Sequence, residues 1–308
     1  MRSTVLTAGA CALVLSLTAC SATEGEADAS PSASGDISQV TVVQSETLAP
    51  DIEFVPDQTY LDEQTEVLWE GEGDPLVEGQ PLLLDIYGES LVDGSVVMNT
   101  FDGLPESFLM APEIVGEGIY EALQDVNVGG RVLAVSPPGN GADAREPVAL
   151  VVDVLPTSAQ GEQQQPVEGM PEVSLGVDGE PVVKVDPDRE ASADLEVATL
   201  INGGGTQVRS NSLVLANYTM VHHDPSPEDS EEQWEPGDVF DSSWENEREP
   251  LLIEMDQVSA VPGLQQGLLD QTARSRVLMV VPPTLGYPER GSMIIVVDIL
   301  DVWNPEDL

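Results

Sequence analysis

Basic residues are nearly missing from this chain. Its 308 residues hold 10 Lys and Arg against 56 Asp and Glu, and the formal net charge is −46. Lys184 is the only lysine. A surface this acidic repels phosphates, which excludes nucleic acid as a partner and favours solubility and tolerance of salt. Cysteine is as scarce, with Cys11 and Cys20 alone. Both fall in an N-terminal segment that reads as targeting sequence, so a mature chain has no thiol pair for a disulfide or a cysteine-based metal site. The two histidines are adjacent, in His222-His223-Asp224. Neighbouring side chains on an extended segment point to opposite faces, so the pair chelates poorly and reads as solvated loop. No cofactor site is legible. Gly203-Gly204-Gly205 lacks the lysine and spacing of a phosphate loop, and the acidic stretch Asp224 to Asp238 lacks EF-hand spacing and reads as disordered or cation-screened loop.

What is present is enough apolar sequence, 41%, to build cores for two domains. Arg2 followed by the apolar run Val5 to Leu17 reads as a signal segment too short to span a bilayer. Leu17-Thr18-Ala19-Cys20 resembles a bacterial lipobox, which implies a signal peptide over 1–19 and a diacylglycerol on Cys20. Buried acyl chains would then anchor the chain to the outer face of the cell membrane. A plain secretory signal cleaved near Ala19 is the alternative. Residues 20–48, small, acidic and polar over Ser21 to Ser38, read as a disordered tether. A second break, 158–169 with Gln163-Gln164-Gln165-Pro166, reads as an interdomain linker.

Between the breaks lies an internal repeat, with domains expected at 49–157 and 170–308. One constant offset matches Gly118-Ile119 with Gly263-Leu264, Arg131-Val132-Leu133 with Arg276-Val277-Leu278, Pro137-Pro138 with Pro282-Pro283, and Val151-Val152-Asp153 with Val296-Val297-Asp298. Upstream, Leu68, Gly71 and Gly73 echo Leu200, Gly203 and Gly205, each followed by a β-rich run ending at Tyr87 or Tyr218. Leu82 to Tyr87, Asn211 to Tyr218, Arg276 to Val281 and Met293 to Val302 read as strands. Pro262 to Gln271 reads as a helix, with proline suited to its first position and Leu264 and Leu268 on one face. Each copy is therefore expected to be α+β, strands with one helix laid across them.

The second copy carries Tyr218, Phe240-Asp241-Ser242-Ser243 and Pro282-Pro283-Thr284-Leu285-Gly286-Tyr287 on separate segments. In that order the residues resemble the pocket of FKBP-type peptidyl-prolyl isomerases, the immunophilins that bind macrolides. The resemblance implies a curved antiparallel sheet wrapped around a short helix, and two such domains in tandem. It implies proline-containing unfolded or extended polypeptides as substrates, and macrolides as candidate ligands, with no cofactor and no metal. By the same resemblance Tyr218 is a pocket wall, and Phe240 and Asp241 are the pocket aromatic and the buried carboxylate. Val261 offers its backbone N–H to the substrate carbonyl, and Tyr287 its hydroxyl. Leu264 replaces the floor tryptophan, while Leu251 and Ile295 replace two pocket aromatics. Arg248 is the expected ion-pair partner of Asp241. The loop from Tyr287 to Met293 is shorter than in typical members.

The first copy departs further. Val97 and Met98 stand where the Phe-Asp pair is expected, Ile119 stands at the floor, and Gly139-Asn140-Gly141 follows Pro137-Pro138 without a tyrosine. Tyr87 alone remains, so this copy is expected to keep the fold without the pocket.

Isomerising a prolyl bond means twisting an amide whose resonance sets a barrier of about 18–20 kcal/mol. The twisted amide is less dipolar than the planar one, so apolar walls favour it without moving a proton. The expected activity is an isomerase assisting exported chains, with a rate nearly flat between about pH 6 and pH 8, above the ordinary carboxylate range. A non-catalytic chaperone, or a surface scaffold for a partner lipoprotein, are the alternatives.

Overall fold

The computed structural model describes residues 33–43, 49–138, 146–176, 179–186, 189–244 and 250–304. Cys20, the signal segment and Arg248 lie outside them.

The first half opens with β1 (Val40–Val43) and β2 (Asp51–Phe54), an antiparallel pair. A sheet follows: β3 (Gln64–Trp69), β4 (Pro81–Ser90), β5 (Val96–Asn99), β6 (Glu106–Leu109), then helix α1 (Glu117–Leu123), β7 (Arg131–Ser136) and β8 (Val148–Leu155). Its strand order is β3-β7-β8-β4-β5, with β6 also pairing β4, all antiparallel.

The connection carries β9 (Glu162–Gln163) and a hairpin of β10 (Glu172–Leu175) and β11 (Pro181–Lys184). The second sheet has β12 (Glu196–Asn202), β13 (Leu213–His222), β14 (Val239–Ser242) and β15 (Leu251–Glu254). Helix α2 (Pro262–Leu268), β16 (Arg276–Val281) and β17 (Met293–Trp303) complete it. Its order, β9-β12-β16-β17-β13-β14 with β15 pairing β13, repeats that of the first sheet with β9 added at the edge.

The repetition extends to irregularities. A register break between Val67 and Trp69 recurs between Thr199 and Ile201, and one between Gly88 and Glu89 recurs between Met220 and Val221. Both are displaced by 132 positions (Val67 to Thr199, Gly88 to Met220). A bulge inserts one residue and re-aims those after it, so a repeated bulge keeps the same side chains on the same faces. The architecture is α+β and dominated by strands.

Helix α2 begins at Pro262, whose missing N–H is no loss at a first helical position. It stops at Leu268, short of the expected Gln271, because Leu269 turns extended and Asp270 takes a positive φ of 66°. Gly263 and Gly267, one turn apart, let the helix lie close on the sheet. A Cβ at Gly267 would stand 2.4 Å from Sδ of Met279, and one at Gly263 2.5 Å from Val281.

Two expectations about organisation are corrected. The tether does not run free to residue 48. Ala33 and Ser34 pair with Gln58 and Thr59, and Val40 and Ile52 join a core with Tyr60, Leu133, Val135 and Val151 on the sheet face away from α1. The connection is no loose linker either. β9 pairs with Ile201 and Asn202, Ala159 N–H donates to Oδ2 of Asp298 at 2.9 Å, and Asn217 donates to the Thr157 carbonyl at 2.9 Å. The β10–β11 hairpin covers the outer face of the second sheet, with Val173, Val183 and Val185 packed around Leu278, Val280, Ile294 and Val296. Both sheets are therefore buried on both faces, which accounts for the unbroken apolar runs in β16 and β17. Leu83 and Leu155 of the first half meet Leu215, Leu300 and Trp303 of the second.

Candidate functional site

The site forms where β13, β14, the start of α2 and the loop after β16 meet. Tyr218 and Met220 share one face of β13 because strand side chains alternate. Met220 lies opposite Asp241 of β14, and the Tyr218 hydroxyl donates to Asp241 Oδ2 at 2.5 Å. Ser243 locks the two strands together. Its Oγ accepts the Tyr218 N–H at 2.9 Å, its own N–H donates to the Tyr218 carbonyl at 3.0 Å, and its Oγ–H donates to Asn217 at 2.8 Å. The polar pair in Phe-Asp-Ser-Ser is thus buried framework.

Phe240, Tyr218 and Tyr287 pack against one apolar core that contains Val261, Leu264 and Ile295. The Phe240 and Tyr287 rings stand 5.0 Å apart between centroids, tilted by 57°. Tyr287 precedes a short turn, Pro288–Arg290, that brings the loop back over the aromatic cluster. Six of the side chains expected at a pocket, Tyr218, Phe240, Val261, Leu264, Tyr287 and Ile295, thus meet in one cluster, with Asp241 bonded to its edge. Leu251 does not join them. It is 37% exposed at the start of β15, and Ile253, two residues on and on the same strand face, supplies the apolar contact. Val261 is buried, but its N–H already donates to Ser259 Oγ at 3.0 Å.

The first half is built differently. Val97 and Met98 hold the strand positions of Phe240 and Asp241, since Met98 lies opposite Gly88 as Asp241 lies opposite Met220. Tyr87, however, is no pocket remnant. Ile86 lies opposite Val152 as Tyr218 lies opposite Val297, which makes Ile86 the counterpart of Tyr218. Tyr87 is one residue further on and so faces the other side, where it packs with Leu133 and Val151 and donates to Glu89 at 2.6 Å.

Residues outside the expected set complete the rim. His222 and His223 are 3% and 4% exposed, not solvated. His223 Nδ1 lies 2.9 Å from Asp224, whose other oxygen accepts the Ser292 N–H at 2.8 Å. Burial opposes ionisation of Asp224, but these partners hold its carboxyl below the usual value. The acidic stretch is not free loop. Its Trp234 is 7% exposed, donates its indole N–H to the Asp224 carbonyl at 3.0 Å, and stacks on His222 at 4.4 Å and 17°. His222 meets Phe240 edge-on at 5.4 Å. Burial, and then the Arg290 charge, push the His222 imidazole below its ordinary 6.5, so the ring is neutral at pH 7. Arg290 lies 4.8 Å over the Trp234 ring and 5.3 Å over Phe240, and pairs with Glu232 at 2.8 Å. A groove of about 370 Å³ beside Phe240 is lined by His222, Glu232, Gln233, Trp234, Asp238 and Val239. The one sequence signal for this rim was a tryptophan inside an otherwise acidic stretch.

Among the described residues, no group of three His, Cys, Asp or Glu side chains is placed to hold a metal ion, and no helix is long and apolar enough to cross a membrane.

Residues 205–296 match the family model described as FKBP-type peptidyl-prolyl cis-trans isomerase. The matched segment runs from before β13 into β17 and contains Tyr218, Phe240, Asp241, Val261, Leu264, Tyr287 and Ile295, so this part of the chain is similar to an FKBP-type domain. Peptidyl-prolyl cis-trans isomerase FKBP11 of Bos taurus is 40% identical over 55 residues, 18% of this chain and 26% of that protein. The chain thus spans about a quarter of that relative's length. FK506-binding protein of Streptomyces anulatus is 26% identical over 106 residues, 34% of this chain and 76% of that protein. The structure of the three FKBP domains of wheat FKBP73 aligns over 78% of this chain and 94% of its own, at 15% identity and a TM-score of 0.30.

Proposed function

We propose that the second half is a peptidyl-prolyl isomerase acting on exported polypeptides, and that the first half is a second FKBP-like domain without the pocket. The carrying observation is the convergence of Tyr218, Phe240, Val261 and Tyr287 on one apolar cluster, with Asp241 hydrogen-bonded at its edge. Aromatic walls favour the less dipolar, twisted amide over the planar one, and neither a nucleophile nor a proton relay is needed. In the first half Val97 and Met98 supply no aromatic wall and no carboxylate, and Tyr87 is turned away.

The test is turnover of proline peptides by the full chain. Phe240→Ala is expected to lower kcat/KM at least tenfold, and Val97→Ala to leave it within twofold. Equal losses in both variants overturn this division of labour. An FK506-type macrolide is expected to compete with the peptide, in line with the name of the Streptomyces anulatus relative.

A second reading, a chaperone that holds extended segments without turnover, draws support from Val261, whose N–H is already occupied by Ser259. Peptide binding without turnover would select it.

Location is part of the proposal. The lipobox-like Leu17-Thr18-Ala19-Cys20 supports a lipid on Cys20 and a place at the outer face of the cell membrane. Cys20→Ser is expected to leave the protein uncleaved or to release it. A mutant of unchanged processed mass and unchanged membrane fractionation removes the anchor.

A further inference from the structure

The loop after Tyr287 is short, and the structure supplies a rim from elsewhere. The stretch between β13 and β14 brings Trp234 back onto His222, and Trp234 and Phe240 together present ring faces to one guanidinium, that of Arg290. We infer that Arg290 is a specificity-determining residue of the proline site, and that it selects substrates carrying a carboxylate side chain next to the proline. The inference rests on the isomerase reading and names the substrate class of that site.

Three observations carry it. First, Arg290 is fixed. A guanidinium held over two aromatic faces at 4.8 and 5.3 Å has lost much of its side-chain freedom before substrate arrives. Second, it stands where a flanking residue would reach. A proline held against Phe240 places its neighbours within one side-chain length of a charge 5.3 Å from that ring. Third, its present partner is exchangeable. Glu232 is 70% exposed at the side chain, and exposed ion pairs contribute little net stability. A substrate carboxylate can take the place of Glu232 on the planar fork of Arg290 without leaving a buried charge behind. Glu232 then acts as an internal competitor, and the site attracts an acidic residue locally although the whole chain, at −46, repels one.

The experiment uses the full chain and three peptide series that differ only in the residue before proline, Glu, Leu or Lys. The quantity read is the ratio of kcat/KM for Glu to that for Leu, at low and at high salt. Wild type is expected to favour Glu over Lys. Arg290→Gln should lower the Glu-to-Leu ratio about threefold, and Glu232→Gln should raise it by a similar factor, with both effects shrinking at high salt. Glu232→Gln changes an exposed residue and keeps the test valid should Arg290→Gln fold poorly. A ratio unmoved by both substitutions overturns the inference, as does a shift that ignores salt. If no peptide is turned over, the isomerase reading fails. The selectivity is then read from Kd values of the same peptides by calorimetry, where the same two ratios support or overturn the role of Arg290.

Discussion

The Tyr218 hydroxyl and Asp241 Oδ2 stand 2.5 Å apart, and this bond ties β13 to β14 beneath the aromatic cluster. Amide rotation transfers no proton, so the bond sets shape and local field. Tyr218→Phe removes the donor and is expected to cost about 1–2 kcal/mol in stability. Turnover should fall severalfold through kcat/KM, and the shape of the pH profile should stay unchanged. A thermal melt and a pH–rate series check both statements. A new bell-shaped profile would argue for acid–base chemistry and against the mechanism.

Ser259 occupies the amide that a substrate carbonyl would use. Ser259→Ala leaves the Val261 N–H available. KM is expected to fall about twofold to fivefold, the range of one modest hydrogen bond. An unchanged or higher KM, with the melting temperature intact, would show that Val261 does not meet substrate.

His222 titrates below its ordinary 6.5 because burial and the Arg290 charge oppose its cation. Between pH 6.5 and 8 the ring stays neutral, and the rate is expected to be flat. Below pH 6.5 the unfolded chain takes up a proton that the folded chain refuses, so stability falls as pH drops through that range. Denaturant titrations at pH 5 and 7 measure the difference, and His222→Phe should reduce it.

Asp85 of the first half offers the opposite sign. Burial pushes its carboxyl from 3.8 up to about 6, with Asp301 of the second half and Asp153 adding repulsion while the Thr100 hydroxyl opposes the shift. Below the unfolded value of 3.8 both states are protonated, and no penalty exists. As pH rises through about 6 the folded state must carry the charge, and stability is lost. Asp85→Asn keeps an acceptor for Thr100 and is expected to raise stability at pH 7.5 by roughly 2 kcal/mol, with the gain vanishing near pH 4. A gain that is the same at both pH values would rule out this account.

The sequence by itself determined the local and periodic features. Pro262 starts α2, and one offset carries Arg131-Val132-Leu133 onto Arg276-Val277-Leu278. It also carries Asp153 onto Asp298, and each copy pairs that Arg with that Asp through Nε and Nη2, at 2.6 Å for both bonds in the second. Such features depend on neighbours along the chain, or on a pattern repeated within it. Only the tertiary structure decided which face a side chain serves. Tyr87 and Tyr218 read as counterparts, yet a one-residue step on a pleated strand sends them to opposite sides of the sheet. Trp234 and Arg290 are 56 positions apart (234 to 290) and meet only because β13 and β14 bracket the stretch that carries the tryptophan. The β10–β11 hairpin was equally hidden, because four-residue strands show too little periodicity to announce a cover. Its signature lay in its target, the unbroken apolar run of β16 and β17, which needs burial on both faces.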